Sequence, residues 1–277
     1  MKWRIQHRTT YRYGAPAHDS FNDVRLEPAA NEIQSVESFV LTTTPDAQLR
    51  RYTDFYGNYV HHFEITAPHS VLVIESRAVV ATRPPSPLSE DAMPGQPGTL
   101  PEYLQTNASF DYLGASRFVD IEPATWRLAV DATEGMTDPW QAARAIMRYV
   151  HGYLAYSPDT THVHTHGRQV LAERRGVCQD FAHLMLGMCR TLRIPARYVS
   201  GYLATEQASA THAWVEVLLP RVGWLALDPT HNRQSDGTYI KIGVGRDYAD
   251  VPPVSGYYKG SLERRMEVEV KIEPATA

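Results

Sequence analysis

Cys178 follows Gly176-Val177 and opens a segment in which Phe181, Leu184, Met185, Met188, Cys189 and Leu192 recur at helical spacing. The pattern predicts a helix that starts at Cys178 and is stopped by Pro195. At such a terminus the unpaired amides and the positive end of the helix dipole favour an anion, here a thiolate. The same amides can hold the oxyanion formed when a thiolate attacks a carbonyl. A thiolate nucleophile needs a base that later protonates the leaving group. His212 is the candidate, because it opens the apolar run His212-Ala213-Trp214-Val215-Glu216-Val217 directly after a polar loop, Thr205 to Thr211. Strand ends beside loops are where a rigid scaffold presents reactive side chains. Asp228 ends the run Gly223-Trp224-Leu225-Ala226-Leu227 and precedes Pro229; it could accept the second imidazole N–H and orient the ring. Each residue also has a plainer reading: a buried inert cysteine, a surface histidine at a strand start, and an aspartate beginning an Asp-Pro turn. Cys189, inside the apolar stripe, is expected to be core.

These three residues need elements that carry them to one place. A hairpin closing near Pro220 to Gly223 would make the His212 and Asp228 strands antiparallel neighbours. A minimal two-residue turn sets Asp228 opposite Val215, so direct contact requires a longer loop or a bulge. Further β-like runs cover Ala196 to Leu203 and Leu262 to Ile272. Asp138-Pro139 is an N-cap followed by proline at the first helical position, and Trp140, Ala143, Ile146, Met147, Val150 and Leu154 continue a helix from it. A short helix is expected from Gln169 to Arg175, ended by Gly176. The first eighty or so residues read as β: Trp3, Ile5, Thr9, Tyr11 and Tyr13 alternate with polar residues, and Gly57-Asn58 between aromatic flanks is a tight-hairpin signal. Pro84, Pro85, Pro87, Pro94 and Pro97, with Gly95 and Gly98, then break regular structure. The expected organisation is α+β: an N-terminal β-rich region at 1–82, a Pro/Gly-rich linker at 83–101, and a catalytic region at 102–277, its Cys-bearing helix packed on an antiparallel sheet.

Composition narrows the function classes. The chain has 277 residues, 43% of them hydrophobic, and a formal net charge of −4. No run of one sign suggests a nucleic-acid partner. No apolar stretch is long enough for a signal peptide or a membrane span, so a cytoplasmic location is expected. Cys178 and Cys189, on one helix, would lie roughly 16 Å apart, too far for a disulfide, and two cysteines cannot form a zinc-ribbon set. His162, His164 and His166 alternate and could share one face of an extended segment as metal ligands. A polar loop is the plainer account of them, and no metal or cofactor is expected. His183 lies about 140° round the helix from Cys178, which suits packing or hydrogen bonding better than base catalysis. Asp180 is suited to capping the helix. Gly243-Val244-Gly245 lacks the context of a dinucleotide site, and neither Gly-x-Ser-x-Gly nor EF-hand spacing occurs. Oligomeric state is not legible from the sequence.

The order of a helix bearing cysteine, a strand bearing histidine and a strand bearing aspartate is that of papain-like enzymes. Arg175-Gly176-Val177-Cys178-Gln179-Asp180-Phe181-Ala182-His183-Leu184 and Ile194-Pro195-Ala196-Arg197-Tyr198-Val199-Ser200-Gly201-Tyr202-Leu203 resemble the bacterial transglutaminase-like proteins, as do His212 to Val217, Asp228-Pro229-Thr230 and Gly245 to Pro253. Arg25-Leu26-Glu27-Pro28 and Asp54-Phe55-Tyr56-Gly57-Asn58 resemble the β domain that precedes this core in the family. The resemblance implies Cys178 as nucleophile, His212 as general acid/base and Asp228 as orienting carboxylate, with a peptide or other amide as substrate. It places Gln179, Tyr202, Trp214, Asp247 and Tyr248 near the site. Two positions depart from better-known relatives. Animal transglutaminases carry glutamine before and tryptophan after the nucleophile, where Val177 and Gln179 stand here. The oxyanion glutamine of papain-like proteases, six residues before the cysteine, is Ala172 here. Amide hydrolysis is therefore expected ahead of glutamine–lysine cross-linking or other acyl transfer, with a transglutaminase-like binding module without turnover as the non-enzymatic alternative.

Overall fold

A computed structural model describes residues 1–85, 107–158, 167–204, 209–219, 222–260 and 263–275. The alternation at the N-terminus becomes β1 (Lys2–Val24), a strand shared by two halves of one sheet. Its first half pairs antiparallel with β5 (His69–Thr82), Ile5 opposite Ala78, and β2 (Gln34–Thr44) lies outside β5. Its second half pairs with β4 (Tyr59–Ile65), and β3 (Arg50–Thr53) lies outside that. The β3–β4 connection is longer than the tight turn expected at Gly57-Asn58. Asp54 accepts the backbone N–H groups of Tyr56 and Asn58, so five residues, 54–58, form the loop.

The second unit begins with helices. α1 (Pro123–Thr133) precedes α2 (Pro139–Tyr153), whose N-cap Asp138 accepts from Trp140 and Gln141. Two short parallel strands follow, β6 (Ala155–Tyr156) and β7 (Arg175–Gly176), flanking α3 (Gly167–Glu173). Then come α4 (Cys178–Thr191) and an antiparallel sheet of β8 (Ala196–Ala204), β9 (Ser209–Leu219), β10 (Gly223–Asp228), β11 (Arg233–Gln234) and β12 (Tyr239–Gly245), ordered β11-β10-β9-β8-β12. Helix α1 has no counterpart in the sequence reading. Its buried residues are Thr125, Ala129 and Thr133, too small and polar to make an apolar stripe. The core of this unit lies between α4 and the sheet, where Phe181, Met185 and Met188 meet Ala213, Val215 and Val217.

The division at residue 101 needs correction. The final strands, β13 (Val254–Lys259) and β14 (Arg264–Pro274), do not extend the second sheet; both pair with β1, Val24 opposite Val254 and Ile5 opposite Ile272. The N-terminal sheet thus takes strands from both ends of the chain. The physical reason is that β1 is a strand whose second edge would otherwise leave a long row of backbone groups without partners. Of the linker at 83–101, residues 86–101 lie outside the described residues, as do His162, His164 and His166. The two sheets share an apolar layer in which Ile5, Val80 and Ile272 meet Tyr202, Ile240 and Ile242. Asn58 adds a polar clasp: its carboxamide accepts from the Val244 N–H and donates to the Val244 carbonyl. Among the described residues no helix is long and apolar enough to cross a membrane.

Candidate active site

Cys178 is the first residue of α4 and is partly exposed, whereas Cys189 near the other end is buried; both are free thiols. The helix start is built by its neighbours. Asp180 folds back and its carboxylate accepts the Val177 N–H at 2.8 Å. That fold-back requires glycine at 176, because a Cβ there would lie 2.5 Å from an Asp180 carboxylate oxygen. Gly176 is itself held in β7. The first-turn amides of α4 are therefore presented at a fixed place around the sulfur.

His212 reaches the same place from β9. Gly223 pairs with Leu219 and Leu227 with Val215, which sets Asp228 level with Trp214 rather than with Val215. Residues 214 and 212 share a face of β9, so Asp228 meets His212 along the diagonal, a span two side chains can bridge. Three residues between Leu219 and Gly223 supply the register shift, and no bulge interrupts this hairpin. The carboxylate Oδ2 accepts from His212 Nε2 at 2.8 Å. The imidazole also hydrogen-bonds Cys178, and Nδ1 is the nitrogen left for the sulfur.

Asp228 is 0% exposed, yet richly satisfied. Besides His212, Oδ2 accepts from His231 Nδ1 at 2.8 Å and the Tyr239 hydroxyl at 2.6 Å, while Oδ1 accepts the backbone N–H groups of Thr230 and His231. Burial alone would raise its pKa, but these donors hold it well below the usual carboxylate range. For His212 burial likewise opposes charge, and the bonds to Asp228 and Cys178 outweigh it, raising the imidazole to about 9. The ring therefore carries a proton at neutral pH. A buried anion, a cationic imidazole and a sulfur in sequence constitute a proton donor poised beside a nucleophile. His212, Asp228 and His231 also place one ligand atom each within 4.8 Å of one another. A cation held there would compete for the oxygen that orients His212.

A cleft of about 390 Å³ opens over Cys178 and His212. Gln179 and Tyr248 line it. Three other residues expected near the site, Tyr202, Trp214 and Asp247, do not line the cleft. Tyr202 shares a face of β8 with the cleft-lining Tyr198 and Ser200 but lies further along it, in the layer covered by the N-terminal sheet, its hydroxyl 2.9 Å from His7 Nδ1. Trp214 backs His212, with ring centres 6.1 Å apart, and lines a different cavity of about 460 Å³. Its ring explains Gly201 on β8, where a Cβ would lie 2.5 Å from the indole. Asp247 is a structural carboxylate, accepting the N–H groups of Phe118 and Ala249.

His183 is buried and held neutral by that burial, its pKa lowered to about 4; its Nε2 accepts the Tyr248 N–H. Cys189 is pushed up to about 12 by burial. Three residues near the centre, His231, Tyr239 and Tyr156, were not foreseen. His231 and Tyr239 donate to Asp228, and burial first, then the nearby charge of Cys178, raises the hydroxyls of Tyr156 and Tyr198. His231 was readable as the residue three after a turn-forming aspartate; the tyrosines carry no local signal.

The family model described as the transglutaminase-like superfamily matches residues 127–229, and that of the bacterial transglutaminase-like N-terminal region matches residues 3–81. An uncharacterized protein of Mycobacterium leprae is 35% identical over 287 residues, 98% of each chain. One from Mycobacterium tuberculosis is 34% identical over 295 residues, 99% of this chain and 93% of the other. A protein-glutamine gamma-glutamyltransferase of Pseudomonas aeruginosa is 31% identical over 156 residues, 50% of this chain and 23% of its own length. The crystal structure of a candidate cysteine protease from Cytophaga hutchinsonii superposes with a TM-score of 0.82 at 22% identity, covering 100% of this chain and 91% of that one. The chain belongs to the transglutaminase-like superfamily and carries the bacterial transglutaminase-like N-terminal region.

Proposed function

We propose that the protein is a cysteine-dependent amide hydrolase working through Cys178, His212 and Asp228. One observation carries the reading: His212 lies between a buried, ionised carboxylate at 2.8 Å and the sulfur at a helix start, in an open cleft. The thiolate of Cys178 attacks the carbonyl carbon, and the first-turn amides of α4 receive the oxyanion. As the C–N bond breaks, His212 gives its proton to the leaving nitrogen and a thioester remains on Cys178. Neutral His212 then takes a proton from water, whose oxygen attacks the thioester. The carboxylic acid leaves and the sulfur and imidazolium are restored.

A second reading, acyl transfer to an amine, is favoured by the Pseudomonas aeruginosa relative named as a glutamyltransferase. In that case an amine replaces water in the second half. The test is intact-mass spectrometry after exposure to a peptide mixture, with and without a primary amine. An adduct on Cys178, absent in His212→Ala and resolved to free acid, supports hydrolysis. Amine incorporated into the product supports transfer. No adduct on Cys178 from any amide contradicts both.

A further inference from the structure

The wall of the cleft facing the catalytic residues is not part of the catalytic unit at all. It is the inner face of the N-terminal sheet, where β1 and β14 pair with Thr9 opposite Val268 and Tyr11 opposite Met266. Because strand residues alternate, Ile5, His7, Thr9 and Tyr11 share this face with Ile272, Val270, Val268 and Met266. The inner end of the face is the buried layer between the sheets, beginning with Ile5 and Ile272. Toward the outer end the same face emerges over the cleft, and Met266 and Val268 are 55% and 46% exposed. The two residues belong to a strand whose outward-facing neighbours are Glu267 and Glu269. An apolar stripe left open on an otherwise charged strand is unusual unless something covers it.

From this geometry we infer that β1 and β14 form the substrate-recognition wall of the site, and that the group adjoining the scissile amide is uncharged and apolar. The inference rests on the hydrolase or transferase reading of Cys178 and names the class of substrate for it. Its occupant is set by continuity: one cleft touches Cys178, His212, Met266 and Val268, so whatever offers an amide to the sulfur must lie against this wall. The chemistry of the lining sets the class. Among the described residues no Asp, Glu, Lys or Arg lines the cleft. Of the titratable side chains that β1 contributes, His7 is kept neutral by burial, at about 4, and bonded to Tyr202 and Thr9, and Tyr11 is pushed up to about 12 by burial. Apart from His212 and Cys178, which the reaction itself uses, the lining offers no charge, so a charged substrate group against it would be desolvated without a partner, whereas an apolar one gains by leaving water. On the opposite side Tyr156, Tyr198 and Tyr248 offer aromatic surface of the same character.

Three haloacetamides test this: iodoacetamide, N-benzyl iodoacetamide and iodoacetyl-glycine, each rate at Cys178 divided by its rate with free cysteine. The expected order is benzyl first, the parent next and the anionic reagent last. In Met266→Gln/Val268→Thr, two exposed positions with strand-compatible replacements, the benzyl preference falls about tenfold, while the parent reagent stays within about twofold. An unchanged benzyl preference in that variant, or equal normalised rates for all three reagents in the natural protein, overturns the inference. Slow parent-reagent labelling of Cys178 in the natural protein would instead overturn the catalytic reading, so the two failures are separable. Circular dichroism and thermal unfolding of the double variant, expected to match the natural protein, exclude misfolding as the cause of a lost preference.

Discussion

The two ends of helix α4 carry the same residue in opposite circumstances. Cys178 stands at the N-terminus, partly exposed, over a cleft and beside a protonated imidazole. Cys189 sits eleven residues on, at 0% exposure among Met185, Met188 and Val215, its thiol pushed up to about 12. Residue type does not separate them, and neither does the element. Position along the helix does: the first turn stands at the positive end of the helix dipole and opens onto the cleft, whereas the last turns are packed on a sheet. Reactivity follows from where the sulfur is put, and the scaffold spends Gly176, Asp180 and the β9–β10 register on putting it there.

Labelling should separate the two thiols most widely. Iodoacetamide near neutral pH is expected to modify Cys178 stoichiometrically, while Cys189 reacts only when the core opens, at least about a thousandfold more slowly; peptide mapping reads the ratio. Equal rates would remove the contrast. The next effect is on stability. Asp228→Ala strips one acceptor from five donors in a buried site and should cost about 3–5 kcal/mol in denaturant unfolding. Cys189→Ala, which only removes a small buried group, should cost about 1 kcal/mol. The last effect is the pH dependence. His212 binds its proton more tightly folded, at about 9 against an ordinary 6.5, so its contribution to stability is complete below about pH 6.5 and is lost as the pH rises through about 9. Unfolding free energy should decline across that window in the natural protein and lose this decline in His212→Ala.

Much of this was legible from residue order. The helix stripe from Phe181 to Leu192 is long and periodic, and Asp138-Pro139 is an N-cap with mechanism, so both helices stand where spacing put them. Long-range placement was less legible. Nothing local in Met266 or Val268 says which sheet they join; the free edge of β1, some 250 residues away in the chain, decides it. The cover over β8 was hidden in the same way. Tyr198 and Tyr202 share one face of β8, but the N-terminal sheet covers only its far part, leaving Tyr198 at the cleft and Tyr202 in the inter-sheet layer. The network around Asp228 escaped because Tyr239 meets it only through the folded sheet.

The claim on which the rest depends is that His212 is paired with both Asp228 and the sulfur of Cys178. Nitrogen-15 NMR of histidine-labelled protein observes this ring directly. Both His212 nitrogens should remain protonated up to about pH 9, and Cys178→Ala should lower that midpoint by removing one of the two partners. A His212 signal that titrates near 6.5, unchanged by Cys178→Ala, would contradict the pairing and with it the assignment of a catalytic centre.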